Sequence, residues 1–116
     1  MLPTNLKHLE TDEDIKKALK NNDNVVICCG RMGPMCTPVY AILSHLEARY
    51  PHVHFYDQDF DIPAARFIRQ LPECASFMGL PFTVYFKNSK VVAATTSIQN
   101  GDQICKVLDR EFGRHS

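Results

Sequence analysis

The sequence predicts an α/β fold, a central mixed β-sheet flanked by helices in the order β-α-β-α-β-α-β-β-α, from three features of its pattern. The first is Val25-Val26-Ile27-Cys28-Cys29, an apolar β-rich run that breaks at a Gly/Pro turn and hands over to Val39, Ile42, Leu43 and Leu46 at helical spacing. The second is the alternation of strand-like and helix-like runs through most of the chain. The third is Phe82-Thr83-Val84-Tyr85-Phe86, a strong β run followed by a turn at Asn88-Ser89 and a returning strand from Val91 to Ser97.

Each element has its own signal. Asn5 to Leu9 reads as a short first strand. Thr11 is placed to cap a helix with an acidic first turn and with Ile15, Ala18 and Leu19 on its buried face. Asn21-Asn22-Asp23-Asn24 stops that helix, because these side chains offer the backbone competing hydrogen bonds and tolerate left-handed geometry. The strand Val25 to Cys29 is apolar on both faces, as a strand covered by helices on each side should be. A second helix is expected from Pro34 to Arg49, with Pro38 in its opening turns, where a missing N–H costs little, and Pro51 ends it. His52 to Asp57 reads as a third strand. Asp59 to Pro63 then turns into a helix with Ala64, Phe67, Ile68 and Leu71 inward, closed by Pro72. Glu73 to Met78 reads as a helical turn or loop. Asn100-Gly101-Asp102 caps a last helix with Ile104, Val107 and Leu108 inward and Lys106 and Arg110 outward.

At 116 residues the chain is expected to form a single domain, residues 1–116, large enough to bury a core. Its apolar share of 45% and charged share of 22% are those of a globular protein and argue against disorder. The formal net charge is zero and no stripe of Lys and Arg is visible, which argues against a nucleic-acid or anionic-membrane partner. No stretch approaches the apolar length that spans a bilayer and no basic, apolar leader opens the chain, so a cytoplasmic protein is expected. Five cysteines, two of them adjacent, leave at least one thiol free or intermolecular. Reduced thiols are the default reading.

Chemistry is expected where the strand Val25 to Cys29 leaves the sheet. A loop at the carboxyl end of such a strand meets a helix N-terminus, with its unpaired N–H groups and positive dipole end. Cys36 lies in or just before that first turn, a setting that favours the thiolate. A loop can also fold so that Cys29 and Cys36 meet. Cys28 and Cys29 must face opposite sides of the sheet, because strand side chains alternate. Cys74 and Cys105 read as core or near-surface thiols with no assigned role. His52 and His54 share a strand face with Tyr56, but zinc needs further ligands that the sequence does not place nearby, so a solvated edge and no metal are expected. Arg31 either meets an anionic group of a partner or covers apolar surface with its stem.

The Gly-Pro loop after the second strand, and Gly79-Leu80-Pro81 opening a hairpin that ends Phe86-Lys87-Asn88, resemble the thioredoxin family and its Gly-Ile-Pro-Thr…Phe-Lys-Asn-Gly pattern. The resemblance covers Val25 to Phe112, with Asn5 to Asn24 agreeing in element order alone. It implies a thioredoxin-like fold, with Pro81 as the family's cis-proline lining a groove that orients a bound peptide. The residues that serve dithiol chemistry are missing together. If Gly33-Pro34 overlays the family's Gly-Pro, Met32 and Met35 replace both cysteines. If the helix is aligned from Ile42-Leu43 and Tyr50, Cys36 falls on the resolving cysteine and Gly33 on the nucleophile. Neither register yields Cys-x-x-Cys, which supplies a nucleophile and a second thiol to resolve the mixed disulfide. Val26 or Ile27 stands where the family keeps a buried Asp, and Arg31 or Met32 where it keeps Trp. The segment from Asp59 to Pro81 is longer than in a typical thioredoxin, and its Phe60, Phe67 and Phe77 are placed to reshape the groove.

The expected function is therefore recognition that has dropped turnover. A protein or peptide partner would bind in a groove made by Met32, Gly33, Pro34, Met35, Leu80 and Pro81, without a cofactor, and Cys36 would act as a single redox thiol. The alternative is an atypical thiol-disulfide oxidoreductase in cell redox homeostasis that uses Cys29 with Cys36. On this fold Met32, Met35 and Met78 would gather around Pro81. Thioethers beside a thiolate suit Cu(I), but without tight ligand spacing they read as an adaptable apolar surface for a peptide.

Overall fold

The computed structural model describes residues 4–75 and 79–113. Its elements in chain order are β1 (Lys7–His8), α1 (Asp12–Asn21), β2 (Asn24–Gly30), α2 (Thr37–Leu46) and β3 (His54–Asp59). A 3₁₀ turn at Pro63–Ala65 then leads into α3 (Arg66–Arg69), and a second one covers Pro72–Cys74. β4 (Phe82–Lys87), β5 (Lys90–Thr96) and α4 (Gly101–Phe112) complete the order. Among the described residues the strands form one mixed sheet in the order β1-β3-β2-β4-β5. β1, β3 and β2 run parallel, while β4 and β5 are antiparallel to their neighbours.

The apolar run of β2 places it at the centre, where Val25 to Cys29 have no exposed surface. Burying each such Val or Ile stabilises the fold by about 1.5–3 kcal/mol relative to leaving it in water. Alternation along the strand then divides the core. Val26 and Cys28 face a cluster built with Val39, Tyr40 and Leu43 of α2 and Ile104 and Leu108 of α4. Val25, Ile27 and Cys29 face the other cluster, with Ile15 and Ala18 of α1 and with Ala65 and Ile68 around α3.

Local chemistry closes the ends as the sequence suggests. Thr11 and Asp14 form a capping box, with the Thr11 hydroxyl accepting from the Asp14 N–H at 3.1 Å and the Asp14 carboxylate accepting from the Thr11 N–H at 3.1 Å. Asn100 and Gln103 do the same for α4 at 2.8 Å in both directions. The turn between β4 and β5 has φ of 52° at Asn88 and 67° at Ser89, the positive pair that matches a tight hairpin to the twist of its strands.

Several boundaries differ from expectation. α2 begins at Thr37, not Pro34, because the Gly33 carbonyl gathers the N–H groups of Cys36 and Thr37 at 3.2 and 3.0 Å and holds 34–36 as a turn; it ends at Leu46, not Arg49. Ile42 is half-buried, and Tyr40 takes the inward place. β3 starts at His54, since Pro51 and His52 are still in the turn that follows α2. The third helix shrinks to one turn. Its 3₁₀ lead-in, with three residues per turn, points Ala65 and Ile68 inward and leaves Phe67 exposed against Phe86. β5 begins at Lys90 and ends at Thr96, one residue earlier at each end than expected. Pro72–Cys74 is a 3₁₀ turn, and the expectations for Phe77 and Met78 fall outside the described residues.

Candidate functional site

β2 and α2 meet at Gly30, where side chains from three segments converge. A Cβ on residue 30 would lie 2.7 Å from the Tyr40 hydroxyl, 2.9 Å from Cys36 Sγ and 3.1 Å from Pro81 Cβ, so only glycine lets them approach. The Leu80–Pro81 bond is cis and Pro81 is buried beneath the loop. Cys36 occupies the N-cap position of α2 without capping it through its side chain, and is only 3% exposed. The Arg31 N–H donates to Cys36 Sγ at 3.4 Å, and the Tyr40 hydroxyl donates to the Arg31 carbonyl at 3.2 Å.

A cleft of about 380 Å3 opens beside this junction, lined by Arg31, Met35, Cys36, Phe60, Gly79 and Leu80. Cys36 is the one thiol among these lining residues. Met35, 46% exposed, and the half-buried Leu80 both line the cleft. The guanidinium of Arg31 forms a two-point ion pair with Asp61, Nε to Oδ2 and Nη2 to Oδ1 both at 2.8 Å, and lies 5.6 Å from the centroid of the Phe60 ring. Hydrogen bonding to Arg31 holds the Asp61 carboxyl below the usual carboxylate range. Arg69 approaches Phe60 as well, at 5.8 Å, and its Nη1 donates to the Phe60 and Ile62 carbonyls.

The expected groove residues do not all meet. Met32, 70% exposed, lines a separate pocket of about 260 Å3 with Thr4, Thr37, Tyr40 and Ser44. Residues 32 and 35 leave the same turn in different directions, so a shared methionine surface is not formed by this pair. Gly33 works through its carbonyl, which accepts from the N–H groups of Cys36 and Thr37 and from the Thr37 hydroxyl at 2.8 Å. Pro34 is exposed on the turn.

The pairing of Cys29 with Cys36 is corrected by the sheet. Cys29 packs with Cys74 and Phe82 on the far face, whereas Cys28 shares the core cluster of Cys36. A Cys29–Cys36 bridge would have to cross the sheet, and all five cysteines are free thiols. Cys28 does not make up a ready dithiol either. It is fully buried, burial pushes its thiol well above the ordinary range, and the Thr83 hydroxyl donates to its sulfur at 3.7 Å.

One polar group was missed in the sequence. Asp57 of β3 lies beside Cys28 in register and is 1% exposed, with His8 Nδ1 2.7 Å from its Oδ1 and the Thr4 hydroxyl donating to Oδ2. Burial raises its pKa, and the bonds from Thr4 and His8 offset part of that rise. The signal available was a carboxylate within the run that forms β3. Of the expected histidine edge, His54 is exposed and His52 Nε2 donates to the Gly113 carbonyl at 2.8 Å. Among the described residues no group of three or more His, Cys, Asp or Glu is arranged to hold a metal ion, and no helix is long and apolar enough to cross a membrane.

Sheet order, helix layers and cleft define a thioredoxin-like α/β protein, and solved structures agree. Thioredoxin f2 of Chlamydomonas reinhardtii superposes with a TM-score of 0.75 at 16% identity, over 95% of this chain and 99% of that one. Mitochondrial thioredoxin 3 of Saccharomyces cerevisiae, in its oxidised form, gives 0.73 at 23% over 90% and 94%. Thioredoxin O2 of Arabidopsis thaliana, also oxidised, gives 0.74 at 16% over 96% and 97%. At these identities the likeness shows the thioredoxin fold alone. The chain matches no protein-family model and no curated protein sequence.

Proposed function

We propose that this protein binds an extended segment of another protein in the cleft beside Cys36, and that Cys36 acts there as a single thiol. The observation that carries this is the cleft itself: an apolar wall from Met35, Phe60 and Leu80, with one thiol, that of Cys36, among its lining residues. Met and aromatic side chains suit an extended chain because they adapt to varied apolar residues, while exposed backbone supplies main-chain hydrogen bonds. Toward a partner disulfide, the Cys36 thiolate would attack one sulfur, form the mixed disulfide and release the other sulfur as a thiolate. Release of the partner would then need a second thiol from outside, since Cys29 lies across the sheet and Cys28 is sealed within it. Such a protein recognises and traps; it does not turn over as a dithiol enzyme does.

A set of synthetic extended peptides, varied in apolar content and titrated into labelled protein, tests the reading by NMR. Shifts are expected at residues 31–36, 60 and 79–81, and Met35→Asp should weaken them at least several-fold while Cys36→Ser leaves them in place. Shifts confined to another face, or equal binding by folded Met35→Asp, would overturn it.

A further inference from the structure

We propose that the ion pair of Arg31 with Asp61 is a clamp that governs access to the Cys36 thiol, an inference that rests on reading Cys36 as the reactive group of the cleft. Arg31 is held at three points. Its N–H donates to Cys36 Sγ, its carbonyl accepts from the Tyr40 hydroxyl, and its guanidinium takes both oxygens of Asp61 while lying near the Phe60 ring. Arg31, Phe60 and Cys36 line the same cleft, so the residue that touches the sulfur through its backbone also reaches the Phe60 side of the cleft with its guanidinium.

The far side of the clamp is anchored. The Phe60 N–H donates to the Gly30 carbonyl at 2.8 Å, and the Asp61 N–H donates to Asp59 Oδ1 at 3.0 Å, which ties the segment after β3 to the end of β2. The exposed Arg31 side chain is then the part free to swing. When the guanidinium leaves Asp61, residue 31 keeps only two single backbone hydrogen bonds, from the Tyr40 hydroxyl at 3.2 Å and to the Cys36 sulfur at 3.4 Å, and the N–H that sits against the sulfur can move away. With the clamp closed Cys36 is 3% exposed, although it lines an open cleft.

The clamp is built to open under native conditions. Its side chains are 58% and 57% exposed, and ion pairs in water are weak and screened by salt. Opening it requires no loss of the core, in which Cys28 and Cys29 are wholly buried. Those two thiols report global unfolding, so the two routes to Cys36 can be told apart within one molecule.

The test is the rate at which neutral iodoacetamide alkylates each cysteine, read peptide by peptide by mass spectrometry over a pH series. Asp61→Asn should raise the plateau rate at Cys36 by about two- to fivefold, the size of effect an exposed ion pair supports, and leave the rates at Cys28 and Cys29 unchanged. Added sodium chloride should accelerate Cys36 in the wild type and not in Asp61→Asn. The doubly swapped Arg31→Asp, Asp61→Arg protein should react more slowly at Cys36 than either single swap. Equal plateau rates in wild type and Asp61→Asn would overturn the clamp, as would acceleration shared equally by Cys28 and Cys29. The reagent needs no partner protein, so the clamp can stand where peptide binding fails, and peptide binding can stand where the clamp fails.

Discussion

Gly30 and Cys36 compete for one volume: the Cβ that any other residue would carry at position 30 falls 2.9 Å from the Cys36 sulfur. The same atom would press on the Tyr40 hydroxyl and on Pro81, which belong to α2 and to the segment entering β4. The Tyr40 hydroxyl and the Cys36 sulfur are side-chain ends, but both residues are buried and both atoms are hydrogen-bonded to the Arg31 backbone, so neither gives way freely. Gly30→Ala is therefore expected to destabilise the protein by about 1–3 kcal/mol, the usual cost of overpacking a filled core. The urea midpoint measures it, and a midpoint equal to wild type would mean that the junction yields without strain.

Asp57 makes stability depend on pH in a direction opposite to that of most paired carboxylates. Its folded pKa is raised by burial, so between the unfolded value of about 3.9 and the folded value the native state holds more protons than the unfolded one. The contribution of this group to stability is thus highest below the unfolded pKa and declines as pH rises through the folded one. Asp57→Asn removes that titration. Urea midpoints measured from pH 4 to pH 7 should fall less with rising pH in the variant than in the wild type, and parallel curves would contradict the assignment.

Insulin reduction by dithiothreitol should proceed no faster with this protein than without it, because the cleft brings no second thiol to Cys36. With a peptide disulfide and no reductant, wild type should instead accumulate one mixed disulfide at Cys36, and Cys36→Ser none. Turnover matching a thioredoxin control would show that another thiol reaches Cys36, with Cys28 the candidate on that face of the sheet.

Local features were legible in the sequence: the strand and helix runs apart from the third helix, the caps at Thr11 and Asn100, the hairpin turn at Asn88-Ser89, and the divergence of Cys28 from Cys29. These follow from periodicity and side-chain chemistry within a few residues of chain. Only the tertiary structure decided what lies on each side of the sheet. Alternation separates Cys28 from Cys29, but which of them shares a face with Cys36 depends on which face α2 covers, a property of the crossover and not of the strand. The turn at 34–36 likewise sends Met32 and Met35 to different pockets, because the Gly33 carbonyl delays the start of α2 until Thr37. Asp57 finds His8 across 49 residues, and Arg31 finds Asp61 across 30, through strand pairings that carry no local mark. The sequence could name the thiol and the loop; the packing of three separate segments around Gly30 decides how that thiol is covered.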